Sequence, residues 1–200
     1  MKKKRNLALF DFDGTISVKD SLIEFIKYAV GKPRYYLGLF YLSPMLFAYK
    51  LKIIKNHRAK EIFLSYFFKD WNSNHFMDIA SRYSLDKLDD IVRDKALDRI
   101  KWHKYQGDKI VIVSASIECW LIDWCKREEL SLISTKLEYK DNKLTGKFST
   151  PNCYGKEKVR RIHDIYHLGD YDIIYAYGDS VGDKELLELA TKPSFKPFRE

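Results

Sequence analysis

Cysteine is scarce in this 200-residue chain: Cys119, Cys125 and Cys153 are the three, and none sits in a Cys-x-x-Cys. An odd number cannot pair fully within one chain, so no disulfide framework is expected and a reducing, cytoplasmic setting fits. Five prolines and nine glycines are too few for a collagen-like or linker-dominated polypeptide. Apolar runs are short as well. The basic opening Met1–Arg5 is followed by an apolar run only from Leu7 to Phe10 before Asp11 and Asp13 interrupt it, so no export signal is read. The five histidines lack ligand spacing; His163 and His167 stand four apart, but no partners for a second pair are present.

What the chain does have is core-forming material and positive charge. Hydrophobic residues make up 46% and charged ones 32%, which suits one domain or one domain carrying an insert. Thirty-six Lys+Arg against 28 Asp+Glu leave a formal charge of +8, a balance that favours anionic partners. Tyr35–Tyr49 runs 15 residues without a charge, between Lys32 and Arg34 on one side and Lys50, Lys52 and Lys55 on the other. A spanning helix needs about 20 apolar residues, and Pro44 interrupts this run. It reads either as a buried helical hairpin or as a segment in the membrane interface, a peripheral contact held by lysines and tyrosines.

Periodicity organises the rest. A short apolar strand over Asn6–Phe10 opens into Asp-Phe-Asp-Gly-Thr. From residue 17 to 101 the apolar residues recur at helical spacing, as in Ile62, Phe63, Tyr66 and Phe67. Then Lys109–Val113 reads as a second buried strand, with a helix from Ile117 to about Glu129 after it. Ile133–Tyr139 and Lys143–Ser149 flank Asp141-Asn142 as a strand pair with a tight turn. Helices are expected over Lys156–His167 and Asp183–Ala190, around a third buried strand at Tyr171–Tyr177. Such alternation predicts an α/β fold: a central parallel sheet flanked by helices, with residues 1–16 and 102–200 as the core and 17–101 as a helical insert in the first crossover.

Ligands of open α/β sheets bind outside the carboxyl ends of the strands. Asp11 and Asp13 follow the first strand, Ser114 the second, and Asp179 and Asp183 the third, with Lys156 and Lys158 opening the helix between. Carboxylates gathered at one point repel one another unless a cation joins them, and oxygen-only ligands suit Mg2+ together with a substrate phosphate. A lysine adds a point charge for a phosphate oxygen, and Ser114 is read as standing at a helix N-terminus that receives anions. One of Asp11 and Asp13 can attack phosphorus while the other donates a proton to the leaving oxygen.

Asp11-Phe-Asp-Gly-Thr15, Ser114 after an apolar strand, a lysine near 158 and Gly178-Asp-Ser-Val-Gly-Asp183 resemble, in order and spacing, the four motifs of the haloacid dehalogenase superfamily. The insert after the first motif resembles the helical C1-type cap of its phosphoserine-phosphatase-like branch, subfamily IB. That resemblance implies Asp11 as nucleophile and magnesium ligand, Asp13 as general acid/base with its main-chain carbonyl on the metal, Asp179 as a metal ligand and Asp183 as its close support. It also implies Ser114 and the adjoining Ala115 as phosphate binders. The stretch Asn152–Val159 resembles the subfamily's Gly-x-x-Lys-Val pattern, which selects Lys158 over Lys156.

The leaving group is less constrained. Phosphoserine phosphatases carry Asp-x-Asp-Ser-Thr and a glutamate nine residues after the nucleophile, where this chain has Gly14 and Asp20. Asp20 is therefore a cap candidate of altered chemistry. The apolar segment with basic flanks is similar to that of bacterial phosphatidylglycerophosphatase C, which implies a lipid head-group phosphate. A small soluble phosphomonoester and a phosphomutase outcome are the alternatives. A basic nucleic-acid module would need cations and stacking aromatics along one helix; Lys50–Lys60 is too short and amphipathic for that, so no nucleic-acid partner is expected.

Overall fold

The computed structural model describes residues 5–199. Leu7 and Leu9 belong to one apolar cluster and Ala8 and Phe10 to another, all four without solvent exposure. β1 (Arg5–Phe10) is thus covered on both faces, as a strand inside a parallel sheet must be. In β2 (Lys109–Ile117), Val111 and Val113 likewise join the first cluster while Ile110 and Ile112 join the second. β3 (Ser131–Thr135), β6 (Tyr171–Gly178) and β7 (Lys192–Phe195) complete a five-stranded sheet of order β3-β2-β1-β6-β7, parallel throughout. Three of these strands depart from the sequence reading, β2 by running on from Val113 to Ile117. The stretch expected as one strand over 133–139 is split after Thr135, and β7 goes unseen because its four residues, at a sheet edge, include Lys192, Pro193 and Ser194 and only one large apolar residue, Phe195.

The remaining piece of that stretch, β4 (Leu137–Lys140), pairs antiparallel with β5 (Lys143–Phe148). Asp141 and Asn142 make the turn with φ of 49° and 59°, the left-handed pair a two-residue hairpin requires. The crossover from β1 to β2 carries α1 (Ser21–Val30), α2 (Lys32–Lys50), α3 (Asn56–Phe68), α4 (Ser73–Asp86) and α5 (Asp94–Gln106). Ser17 and Val92 form a lone antiparallel bridge where the chain enters and leaves the first four of these helices, and α5 packs on β2. The hairpin reaches over to the same helices: Asp70 N–H donates to the Leu144 carbonyl (2.9 Å) and Leu144 N–H to that of Trp71 (3.0 Å). α6 (Ile122–Arg127), α7 (Lys156–Ile165) and α8 (Lys184–Glu188) follow β2, β5 and β6.

The buried helical hairpin expected over 35–49 is not formed. α2 is one continuous helix, and Pro44 lies inside it. Proline removes the N–H that would bond the carbonyl four residues back. That carbonyl belongs to Phe40, and the Ser43 hydroxyl donates to it instead at 2.7 Å. Gly38 lets α2 approach α3 so closely that a Cβ there would lie 2.3 Å from the Phe67 ring. One side of α2 is therefore buried, while Tyr36, Phe40, Tyr41 and Phe47 stay more than half exposed on the other. Among the described residues no helix is long and apolar enough to cross a membrane. All three cysteines are free and buried.

Candidate active site

The chain must turn sharply as it leaves β1, and Gly14 makes this possible with φ of +81°. A Cβ on residue 14 would also sit 2.5 Å from Asp179 Oδ2. Glycine thus lets the loop after β1 lie against the loop after β6. We expect Gly14→Ala to cost about 1–2 kcal/mol through the left-handed backbone alone and to push Asp179 aside. Urea unfolding measures the first effect. Calorimetric titration with a divalent metal measures the second, expected as a loss of about tenfold or more in affinity.

Three carboxylates meet there: oxygens of Asp11, Asp179 and Asp183 all lie within 4.8 Å of one another. Lys158, with its side chain 1% exposed, reaches in from the first turn of α7 and donates to Asp11 Oδ1 (2.6 Å) and Asp183 Oδ1 (2.7 Å). Lys156, two residues earlier, is exposed on the surface. Asp183 Oδ2 accepts from Asp179 N–H (3.1 Å), Ser180 N–H (3.0 Å) and the Ser180 hydroxyl (2.8 Å). With Lys158 on Oδ1, four donors hold this carboxylate, which makes Asp183 a fixed anchor. Among the described residues the Asp179 carboxylate accepts from one side chain, the partly exposed Arg199 guanidinium.

The electrostatics follow from this sharing. Burial works to raise Asp183, but the Lys158 ammonium and the Ser180 donors outweigh it and hold its carboxyl below the ordinary value. One ammonium is thus largely taken by Asp183. Asp11, also buried, is pushed up to about 7 by desolvation, with Lys158 only partly offsetting it and the Asp183 charge adding to it. Asp179 is raised too, by burial first and then by Asp183. A site with more buried negative charge than its own cations satisfy, and with hard oxygen donors, fits a divalent cation. Asp11 Oδ2, which accepts from the Thr15 hydroxyl at 3.1 Å, and Asp179 keep acceptor capacity to hold it.

Asp13 has a different setting. Its Oδ1 accepts from Ser21 N–H (2.7 Å) and its Oδ2 from the Ser116 hydroxyl. Ser116 in turn lies 2.8 Å from the Ser21 hydroxyl, to which the Trp120 indole donates at 3.2 Å. Burial raises the Asp13 carboxyl to about 6, Asp20 adds to it, and the hydrogen bonds and Lys60 pull the other way.

Ser114 is buried at the end of the sheet, with its hydroxyl accepting from Ser116 N–H at 3.0 Å. It does not stand at a helix N-terminus. β2 continues to Ile117 with its register to β3 shifting after Ser114, and the next turn starts only at Glu118. The Ala115 carbonyl accepts from Lys60 Nζ and from the Thr135 hydroxyl, each at 3.2 Å. Asp20 is exposed and caps α1, accepting from Ile23 N–H at 3.1 Å. Sequence reading missed Ser21, Lys60, Ser116 and Arg199. Ser116 shares a strand face with Ser114 and carried that signal; the other three come from distant segments and carried none.

Comparison with known proteins agrees with this geometry. The model of the haloacid dehalogenase-like hydrolases matches residues 8–188. The chain belongs to that family. Protein CicA of Caulobacter vibrioides is 31% identical over 195 residues, covering 96% of this chain and 86% of its own. A Mycobacterium tuberculosis protein named as a probable phosphatase is 27% identical over 206 residues, covering 93% of this chain and 67% of its own. Among solved structures, a phospho-aspartyl intermediate analogue of phosphoserine phosphatase aligns with a TM-score of 0.68 at 19% identity, over 96% of this chain and 86% of that one. This haloacid dehalogenase-like hydrolase thus has the phosphoserine-phosphatase-like fold, and its acid cluster lies at the carboxyl ends of β1 and β6.

Proposed function

We propose that this hydrolase is a Mg2+-dependent phosphatase that cleaves a phosphomonoester through an aspartyl-phosphate on Asp11. The observation that carries the reading is the pairing of two aspartates in different surroundings. Asp11 sits against Lys158 in the acid cluster, while Asp13 stands apart from that ammonium, held by the Ser21 N–H and the Ser116 hydroxyl, with burial favouring its protonated form. Asp11 Oδ attacks phosphorus as the ester P–O bond breaks, and Asp13 gives its proton to the departing oxygen. Water then attacks the acyl phosphate, Asp13 takes the water's proton, and phosphate leaves with Asp11 regenerated. Ser114, the adjoining Ala115 and Lys158 would hold the phosphate oxygens. Mg2+ on Asp11, Asp179 and the Asp13 carbonyl, with Asp183 supporting from behind, would neutralise charge on the transferring group. The four helices that enter and leave at Ser17 and Val92 act as the cap.

For the leaving group we read a lipid head-group phosphate such as phosphatidylglycerophosphate. A cavity of about 370 Å³ lies between α1, α2 and α3, lined mostly by Leu22, Ile23, Tyr35, Leu39, Leu46 and Phe63. Asp20, Asn56 and Lys60 are polar residues of its lining; Asp20 and Lys60 act on the charge of Asp13 and Lys60 donates to the Ala115 carbonyl, so it adjoins the reacting centre. An apolar wall with one cation at the phosphate end suits an amphiphilic ester better than an amino acid. Free buried cysteines support a reducing, cytoplasmic location for this reaction, at the membrane face.

Phosphate release from phosphatidylglycerophosphate, lysophosphatidate, glycerol phosphate and phosphoserine, with Mg2+ and with EDTA, tests this. The expected result is free phosphate, fastest from the lipids and lost with EDTA. Faster turnover of the soluble esters would refute the lipid reading, and phosphoryl transfer without free phosphate would replace hydrolysis by mutase chemistry.

A further inference from the structure

A helix on the surface of a water-soluble domain keeps its apolar residues to one stripe. α2 does not. Tyr35, Gly38 and Leu42 are buried on its inner side, yet Tyr36, Leu37, Phe40, Tyr41 and Phe47 are 53–74% exposed on its outer side. Leu51 and Ile53, just beyond its end, are 55% and 73% exposed. Their spacing of three and four places them along one side of the helix. Exposed apolar surface this continuous marks an interaction site.

Charge identifies the partner. From Phe25 to Lys60 the chain has no Asp or Glu, while residues 32–60 carry Lys32, Arg34, Lys50, Lys52, Lys55, Arg58 and Lys60. The first six are exposed, at both ends of the aromatic stripe. A second copy docking here would bring the same cations against these, because a two-fold interface sets a patch against itself. A surface that is apolar in the middle, tyrosine-rich and cationic at its ends matches the interface of a bilayer containing anionic lipid.

We infer that the outer face of α2, with the Leu51–Lys55 loop, is the surface by which this protein lies on an anionic membrane. The inner face of the same helix supplies Tyr35, Leu39 and Leu46 to the cavity from which Lys60 reaches the Ala115 carbonyl. One helix therefore separates the bilayer from the leaving-group cavity, and a lipid ester passing its edge would present its phosphate to Asp11. The inference deepens the lipid-phosphatase reading, but docking is measured apart from catalysis.

The test is co-sedimentation of the full chain with vesicles of pure phosphatidylcholine, or of phosphatidylcholine and phosphatidylglycerol in equal parts. Binding to the anionic vesicles alone, weakened by salt, is expected. The double variant Phe40→Asp/Phe47→Asp should lower the partition coefficient by about tenfold or more, with p-nitrophenyl phosphate turnover and thermal melting unchanged. Lys50→Glu/Lys52→Glu should weaken binding chiefly at low salt. No partition into anionic vesicles, or wild-type partition by the double aspartate variant, overturns the inference. So does a concentration-dependent dimer in sedimentation velocity that the double variant abolishes, because a second copy would then cover the face. If the chain binds vesicles but releases no phosphate, the docking stands and the catalytic reading fails; the reverse pattern separates them the other way.

Discussion

Asp11→Asn is expected to abolish phosphate release, lowering kcat by about 10⁴-fold or more, on the scale seen when a nucleophile is removed. The amide keeps the shape of the carboxyl group but has no anionic oxygen to attack phosphorus, and it is a poor ligand for a hard cation. Folding should survive. Lys158 keeps its 2.7 Å bond to Asp183, and the substitution removes a buried carboxylate whose charge is disfavoured there, as its rise to about 7 records. Single-turnover phosphate release and thermal melting read the two effects separately. Retained turnover on p-nitrophenyl phosphate would refute Asp11 as the nucleophile.

Lys158→Met should be the most destabilising change at the site. It fills a similar volume but strands two buried carboxylates, and breaking a buried pair by removing one partner costs about 3–5 kcal/mol. Lys156→Ala, on the exposed side of the same turn, should stay within about 0.5 kcal/mol. The pH dependence has a definite sign. Asp183 is held below its ordinary value of 3.8, so its share of the stabilisation is present above that pH and lost on acidification. Lys158 is held above its ordinary value of 10.5, since Asp11 and Asp183 outweigh the desolvation that opposes them. Its share persists until the pH passes that value. Urea unfolding should show the Lys158→Met deficit largest near neutrality and shrinking below about pH 4, against a Lys156→Ala control. Equal stability and activity for the two lysine variants would mean that Lys158 does not hold the cluster together.

Much of this site was legible in the chain because strand ends and short-range spacing place its parts. Asp11 and Asp13 are fixed to β1, and Asp179 and Asp183 are joined by a capping box in which Ser180 and Asp183 bind each other's backbone. Lys158 rather than Lys156 was legible only through the resemblance to the Gly-x-x-Lys-Val pattern, and in α7 the first is buried and the second exposed. Ser114 illustrates the limit. Its position was legible, but its surroundings were not, because the register shift after it extends the strand where a helix was expected. The hairpin pairing with Asp70 and Trp71 lies in the same class, since backbone bonds between distant segments leave no mark on composition.

The amino-acid sequence alone determined most of the alternation of strands and helices and the acids at the ends of β1 and β6. These depend on periodicity and on turns a few residues long. Tertiary structure decided how one ammonium is divided between two carboxylates, which serine and lysine reach Asp13, and which side of α2 meets water. Each of those is a competition among groups far apart in the chain, settled only when packing sets their distances.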